Sequence, residues 1–288
     1  MRIGTVVVGD DGSLAGSAAL NWAHRHATGE IHVVRAVSPG MELLAAGFQI
    51  ETDLRRADED IHAAVDALDG STEEICTHVV EDDVPNALLD VARRHDADAI
   101  VVGSNGHERF GDLVGVNLGR LLHLSELPVL VVPEATLDAD GVPLEPPDER
   151  SSGELVPIVV GVSGDDAVDR GLVSWTRGVA PETPLVLLHA VSPAVLSVVA
   201  NGADAEIIRE RVHERLDQIA ADGVATDTAV VFDHPVDALA EASADAALVV
   251  VGSHRSSRMV GFVTGSIAQH LPAIVHCPVA LVPLDVSV

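Results

Sequence analysis

Residues 99–104 read Ala-Ile-Val-Val-Gly-Ser, and residues 248–253 repeat this apolar stretch as Leu-Val-Val-Val-Gly-Ser. A continuous run of aliphatic residues of this length is typical of a strand buried on both faces of a parallel sheet. The two stretches lie about 150 residues apart, which is the size of a whole domain and not of a solenoid repeat. The sequence therefore indicates two copies of one domain.

Two further segments recur in the same order. Residues 127–133 read Leu-Pro-Val-Leu-Val-Val-Pro and residues 277–283 read Cys-Pro-Val-Ala-Leu-Val-Pro, while residues 37–39 and 191–193 both read Val-Ser-Pro. Because these segments keep their order and their spacing, the duplication extends over nearly the whole chain.

The segment between the copies has a different composition. Residues 134–154 contain three prolines, two serines and a run of acids, which is typical of an exposed linker. We predict a first domain at residues 1–135, a linker at 136–153 and a second domain at 154–288.

Predicted strands and helices alternate within each copy. In the first copy, short apolar runs predict five strands, at residues 5–8, 31–37, 75–80, 100–103 and 129–132. Residues 14–27 predict a helix with Ser13 as its N-cap, and the apolar residues of 54–68 keep helical spacing. This alternation predicts an α/β fold, with a parallel sheet and helices on both faces in each copy.

The charge of the chain excludes some partners. The formal net charge is −28, all 17 basic residues are Arg, and aromatic residues make up only 2%. Nucleic acid binding needs a positive surface, and single strands are bound on aromatic platforms, so we exclude nucleic acid. Without Lys, neither a Schiff base nor a Walker A phosphate loop can form. Such acidity suits high salt, but a GC-rich genome also replaces Lys with Arg, so the salt preference of the host stays open.

The cysteines and the length of the apolar runs indicate in which cellular compartment the protein is expected. Cys76 and Cys277 lie in different copies, which predicts two buried thiols in a reducing cytoplasm and no disulfide framework. No apolar run approaches the roughly 18 residues that cross a bilayer, and residues 1–4 do not open a signal peptide. We expect a soluble cytoplasmic protein with no membrane partner.

Three segments of the first copy should meet at one edge of its sheet. They are the turn at residues 9–13, the end of the second strand near Ala36, and the glycine-rich loop of residues 103–117. In doubly wound sheets, ligands bind beyond the carboxyl ends of the strands. Glycines let a phosphate approach the backbone, and a helix N-terminus supplies N–H donors, although glycines after a strand often only form a turn.

These features together resemble the universal stress protein family. The resemblance rests on the opening strand followed by Asp11-Gly12-Ser13, the strand that ends in Gly-Ser, the glycine-punctuated loop that leads into a helix, and the closing Cys-Pro-Val-x-Leu-Val strand at 277–282. It covers nearly the whole chain, once per copy, except the linker. It implies two tandem Rossmann-like domains, each with a five-stranded parallel sheet of strand order 3-2-1-4-5. Many members of the family bind ATP.

The family's site residues can be carried over to the first copy. The family uses an Asp after the first strand for the ribose, a backbone contact at the end of the second strand for adenine, and a Gly-x2-Gly-x9-Gly-Ser/Thr motif for the phosphates. The resemblance assigns these roles to Asp11, Ala36, Gly103, Gly106 and Gly115.

The second copy carries a matching set, Ala190, Gly252, Gly265 and Ser266. Neither copy matches the family fully. The loop of the first copy is one residue short and has Val116 where a hydroxyl is expected. The second copy has Ser163 where the Asp should be, and Arg255 replaces the second glycine, where its guanidinium could instead pair with a phosphate.

Other polar residues have plainer interpretations. His107 and His254 lie on the two loops, where a histidine can touch a ligand or simply be solvated. The acid clusters at residues 58–60 and 81–83 could bind a cation, but in so acidic a chain they predict a solvated surface.

The resemblance implies a stress-response regulatory protein that binds ATP or a related adenine nucleotide, with Mg²⁺ accompanying ATP, and that does not catalyse strongly. The altered motifs support an alternative, an interaction or assembly protein whose sites no longer bind nucleotide. An ATP-pyrophosphatase would need Ser-Gly-Gly-x-Asp-Ser after the first strand, which residues 9–13 do not provide.

The closing strands bear on assembly. Family members commonly dimerise through this apolar edge strand, so residues 129–132 and 279–282 predict an intramolecular pseudo-dimer of the two domains. A further homodimer of whole chains stays open.

Overall fold

A computed structural model of the chain describes residues 1–37, 47–68, 74–104, 113–134, 155–193, 203–221, 227–253, 267 and 270–283. The chain forms two compact units, Arg2–Leu144 and Glu145–Val288. Among the described residues, no helix has the length and apolar character needed to cross a membrane.

The first unit contains a five-stranded parallel sheet. Its strands are β1 (Val6–Gly9), β2 (Ile31–Ala36), β3 (Ile75–Val80), β4 (Ala99–Gly103) and β5 (Val129–Val132). They lie in the order β3-β2-β1-β4-β5, and every neighbouring pair is parallel. The strand order reverses between β1 and β4, so the switch point lies beyond the carboxyl ends of these two strands.

The second unit repeats this sheet. Its strands are β6 (Ile158–Gly161), β7 (Leu185–Ala190), β8 (Asp227–Val231), β9 (Leu248–Ser253) and β10 (Val279–Pro283). They lie in the order β8-β7-β6-β9-β10, again with parallel neighbours. The predicted α/β class and the strand order 3-2-1-4-5 are therefore confirmed in both copies.

The described helices lie between the strands in the chain. They are α1 (Leu14–His26), α2 (Gly47–Asp66), α3 (Val84–Arg94), α4 (Leu113–Leu124), α5 (Asp166–Val179), α6 (Ala203–Ala221) and α7 (Pro235–Ala242), with short 3₁₀ turns at Ser243–Asp245 and Leu271–Ala273. The buried face of α1 includes Ala15, Ala18 and Ala19. Because these side chains are small, α1 can lie close to the sheet.

Strand ends differ from prediction by one residue. The first strand runs Val6–Gly9 instead of residues 5–8, because the backbone of Gly9 continues the ladder beside Val34 although it has no side chain to mark a strand. The second strand ends at Ala36, and the N–H of Val37 still donates to Val80 O at 2.8 Å.

Side chains cap the helices that face the site. Ser13 caps α1 as predicted, accepting from the N–H of Gly16 at 3.1 Å. Asp83, predicted as solvated surface, is 37% exposed and also caps α3, accepting from Asn86 N–H at 3.1 Å and from Arg120 Nη2 at 3.0 Å. These donors lower the pKa of the Asp83 carboxyl, the Asn86 N–H most.

The two cysteines differ in exposure. Cys277 is buried as predicted, and burial raises the pKa of its thiol to about 12. Cys76 is only half-buried, so the prediction of a buried thiol is wrong there. Its position near the amino end of β3 leaves it at the margin of the sheet.

Candidate functional site

A cleft opens at the carboxyl ends of β1, β2 and β4, where the switch point of the first unit lies. The cleft encloses about 810 Å³ of space, part of which is open to solvent. Residues of these strands and of the adjoining turn and helices line it: Gly9, Asp10, Asp11, Ser13, Gly16, Val34, Ala36, Val84, Pro85, Leu88, Val102, Gly103, Asn117, Leu118 and Leu121. Asp11, Ala36 and Gly103, three of the contacts predicted for the first copy, thus lie in one cleft.

The cleft combines apolar and polar surfaces. Its apolar lining on the side of β2 and α3 consists of Val34, Ala36, Val84, Pro85 and Leu88. Asp11, Ser13 and Asn117 contribute polar groups. A largely apolar pocket with a few placed polar groups is the usual composition of a site for a small organic ligand.

The turn after β1 is held by its own side chains. Asp11 Oδ1 accepts from the Ser13 N–H at 3.0 Å and from the Ser13 hydroxyl at 2.5 Å. Gly12 has a positive φ of 77°, a conformation that glycine adopts without strain. These bonds fix Asp11, which is exposed, at the rim of the cleft.

A buried ion pair forms the floor of this turn, and sequence reasoning missed it. Arg35 Nε donates to Asp10 Oδ2 at 3.0 Å and Arg35 Nη2 contacts the same oxygen. Only 5% of Asp10 and 9% of Arg35 is exposed. Asp60, predicted as solvated, also pairs with Arg35, at 3.2 Å. The parallel pairing of β1 with β2 brings together residues 25 positions apart in the sequence.

Gly103 has a structural reason to be glycine. A Cβ built on it would lie 2.4 Å from the backbone C and 2.5 Å from the backbone O of Ala15. Real Cβ atoms do not approach backbone so closely. The close packing of α1 against the end of β4 therefore requires glycine here, whether or not a phosphate binds.

The corresponding turn of the second unit is built differently. Val162 and His189 occupy the places of Asp10 and Arg35, because β6 and β7 keep the same register as β1 and β2. Asp169, fully buried in α5, accepts from Ser163 N–H at 2.8 Å, from the Ser163 hydroxyl at 3.0 Å and from Gly164 N–H at 2.9 Å. Burial nevertheless raises the pKa of Asp169.

His189 and Arg215 lie beside this turn. The imidazole Nδ1 of His189 bonds the carbonyl of Val162 at 3.0 Å, and burial lowers the pKa of His189. Arg215 pairs with Asp166 at 2.6 Å. Ser163, which stands where the family has its Asp, is thus engaged with Asp169.

The described residues include part of the predicted set. Ala190 is the last residue of β7 and Gly252 lies in β9, so both are at the carboxyl edge of the second sheet. Gly115 lies in the first turn of α4. The other predicted contacts lie outside the described residues, namely Gly106, Arg255, Gly265 and Ser266, as do His107 and His254.

Comparison with known proteins identifies relatives over the whole length. The model of the universal stress protein family matches residues 2–133 and 156–283. Universal stress protein Rv2623 of Mycobacterium tuberculosis is 28% identical over 301 residues, which cover 95% of this chain and 94% of the relative. A universal stress protein of Mycolicibacterium smegmatis is 26% identical and covers 96% of each chain.

A solved structure supports the same fold. The crystal structure of a universal stress protein from Archaeoglobus fulgidus matches with a TM-score of 0.62 at 15% sequence identity, and covers 97% of this chain and 96% of its own. The family match falls once on each unit and omits the segment between them.

Proposed function

Because this chain belongs to the universal stress protein family, we propose that it is a stress-response regulatory protein that binds ATP or a related adenine nucleotide. The observation that carries the proposal is the cleft of the first unit, which brings Asp11, Ala36 and Gly103 together at the switch point. We assign Asp11 to the ribose, the Ala36 backbone to adenine, and the loop glycines from Gly103 onward to the phosphates.

The lining suits the parts of a nucleotide unequally. The apolar side chains of β2 and α3 would pack against a purine base, and Asp11 would accept from a ribose hydroxyl. The described lining holds two carboxylates, Asp10 and Asp11, and no Arg. We therefore propose that the first unit prefers adenosine or AMP to ATP, since a triphosphate would meet no cation among these residues.

The second unit is proposed as the tighter anion site. Its loop carries Arg255 and Arg258 before Ser266, in a chain with few positive charges. Two guanidinium groups in the same sequence segment as a hydroxyl would favour a triphosphate. Mg²⁺ would accompany ATP on its phosphate oxygens, because Asp10 is already paired with Arg35 and Asp169 with the turn.

We propose regulation and not strong catalysis. Within the described lining of the cleft, the ionisable side chains are Asp10 and Asp11, and the first is neutralised by Arg35. Ser13 donates to Asp11 and has no described imidazole beside it to act as a base. Such a lining can bind and orient a nucleotide, and its occupancy would be the signal that a partner detects.

Calorimetry on the full chain tests the assignment. Gly106→Val should block phosphate approach in the first unit, and Asp11→Ala should weaken adenosine and AMP binding there, by about tenfold for a lost charged hydrogen bond. Ser163→Ala is the matched control, since it alters the equivalent position of the second unit. Identical titrations of the wild type, Gly106→Val and Asp11→Ala would overturn the assignment to the first unit.

Mass spectrometry of protein purified under native conditions gives a second readout. A co-purified adenine nucleotide is the expected result. If no nucleotide is found and neither adenosine, AMP nor ATP binds, the result would support the alternative function, an interaction or assembly protein.

Two observations favour that alternative, an interaction or assembly protein without nucleotide. Gly103 is needed for the packing of α1 against β4, so its presence does not require a phosphate. Val116 also stands where the family has a hydroxyl. In this alternative the closing strands β5 and β10 mediate assembly, and we propose in either case that they pair the two units within one chain.

A further inference from the structure

Three histidines of the first unit lie together away from the nucleotide cleft. His32 is near the amino end of β2, His78 is in β3, and His95 caps the C-terminus of α3. His32 lies two residues, about 7 Å, before Val34, the nearest residue of the cleft lining on the same strand, and none of the three histidines lines the cleft. Nothing in the proposed nucleotide site uses them.

The sheet explains why these side chains meet. β2 pairs with β3 so that Cys76 lies opposite His32 and His78 lies opposite Val34. Since alternate residues share a face, His32 and His78 project to the same side of the sheet. The end of α3 places the ring of His95 over His32, with a centroid separation of 3.9 Å.

The ring nitrogens converge to coordination distances. Nδ1 of His32 lies 3.1 Å from Nε2 of His78, and one nitrogen from each of the three rings falls within 4.8 Å of the others. A tetrahedral zinc ion with Zn–N bonds of about 2.0–2.1 Å holds its nitrogens about 3.3 Å apart. The nitrogens of His32 and His78 are already close to that spacing. His95 is half-buried, and a modest movement of its ring would bring its nitrogen to the same distance from the other two.

The carboxylate of Glu30 lies next to the imidazole of His32, the most buried of the three rings. Glu30 Oε2 lies 3.1 Å from Nε2 of His32, the nitrogen that points away from the other rings. The carboxylate is not aligned for a hydrogen bond, so Nε2 of this fully buried ring has no aligned partner. The side chain of Glu30 is half exposed. Histidine ligands of metals characteristically donate their second N–H to a carboxylate, which leaves the other nitrogen to bind the ion.

The pKa values of two of the rings lie below the usual value of a histidine. Burial and the neighbouring His95 lower the pKa of His32, and burial and His32 lower the pKa of His78. Imidazole nitrogens suit zinc and its neighbours in the transition series, whereas the carboxylates elsewhere on this acidic chain suit Mg²⁺ and Ca²⁺.

We propose that His32, His78 and His95 bind a divalent transition-metal ion of the zinc type, with Glu30 orienting His32 and the fourth coordination position open to water. His32 contributes Nδ1 and His78 contributes Nε2. The half-buried His78 and His95 form the entrance to the site. The proposed site shares no residue with the lining of the nucleotide cleft, and the proposal does not rest on nucleotide binding.

Cobalt spectroscopy on the full-length, tag-free protein tests the site. Co²⁺ should bind at about one ion per chain with the visible bands of tetrahedral coordination, and Zn²⁺ should displace it. The titration is done in molar KCl with excess Mg²⁺, which occupies the surface carboxylates and competes poorly for imidazole.

The variants address the ligands one at a time. His78→Ala and His95→Ala should each weaken Co²⁺ binding at least about tenfold, and Glu30→Gln should weaken it less. His276→Ala, which removes an exposed histidine of the second unit, should leave binding unchanged. A wild type without tetrahedral Co²⁺ bands, or full binding in both His78→Ala and His95→Ala, overturns the proposal.

The wild-type protein provides a measurement that does not depend on folding of the variants. Long-range ¹H–¹⁵N spectra of the imidazoles should show three histidines that change on addition of Zn²⁺ and return on addition of EDTA. Changes confined to other histidines of the chain would overturn the proposal.

Discussion

Gly103 shows how one residue can serve packing and a ligand site together. Its backbone lines the cleft, and its missing side chain makes room for Ala15. The family motif alone assigns this glycine to phosphate binding. The contact with α1 shows that the fold requires it before any ligand is considered.

We expect Gly103→Ala to lower the free energy of unfolding by about 1–3 kcal/mol, because the new Cβ would overlap the backbone of Ala15. Denaturant unfolding in high salt without nucleotide measures the loss. Gly178→Ala is the control, since a Cβ on Gly178 in α5 meets nothing within 4 Å and should be neutral or stabilising. Equal effects of both substitutions would contradict the packing argument.

The Asp10–Arg35 pair gives a second residue-scale prediction. Arg35→Ala should cost about 3–5 kcal/mol, because it leaves the carboxylate of Asp10 buried without its cation. The double variant Asp10→Val with Arg35→His copies Val162 and His189 of the second unit. It should be more stable than Arg35→Ala, with a coupling energy of about 1 kcal/mol or more in a double-mutant cycle.

Chemical denaturation of the wild type, Asp10→Val, Arg35→His and the double variant gives this coupling directly, and Arg35→Ala is measured beside them. Additive effects, or a double variant less stable than either single one, would show that the two units are not interchangeable at this pair.

At the scale of helices and strands, the sequence predicted what periodicity and β-branched runs can reveal. Strands β3 and β5 have the predicted bounds, and Ser13 caps α1 as expected. The Asp10–Arg35 pair and the histidine cluster could not be predicted in this way. Their members lie on different strands and helices, so only the strand register and the end of α3 bring them together.

The N-terminus of α7 provides the element-scale prediction. Its N-cap is His234, in the extended conformation of a cap residue but without a side-chain bond, whereas Asp83 caps the equivalent helix α3. His234→Ser should supply the missing acceptor and raise the free energy of unfolding by about 1 kcal/mol.

Thermal unfolding measures this gain as a higher Tm. His276→Ser replaces an exposed histidine that caps no helix and should leave the Tm unchanged. No difference between the two variants would mean that the helix end is already satisfied.

At the scale of the whole molecule, we predict that the two domains associate when they are expressed separately. Expressed as separate chains, residues 1–135 and 154–288 should associate one to one, because the apolar closing strands β5 and β10 would each leave an edge to be paired. With a net charge of −28 on the full chain, the association should be stronger in molar KCl, which screens repulsion. Sedimentation analysis of the mixture at low and high KCl measures it.

A polar substitution is the matched control. Leu281→Lys in β10 should abolish association, whereas Ile207→Lys, at an exposed position of α6, should not. Halves that stay monomeric at every salt concentration would refute the pairing and leave the two units joined only by their linker.

The buried pair beneath the turn also bears on how the two copies diverged after duplication. If the ancestral domain held this pair, loss of Arg first would have left a buried carboxylate with no cation. If Asp was lost first, Arg kept a second partner at the position of Asp60, 3.2 Å away. Replacement of Asp before Arg is therefore the less destabilising order, and selection should favour it. Chains in which this turn holds a lone Arg should then outnumber those with a lone Asp among descendants of the same duplication.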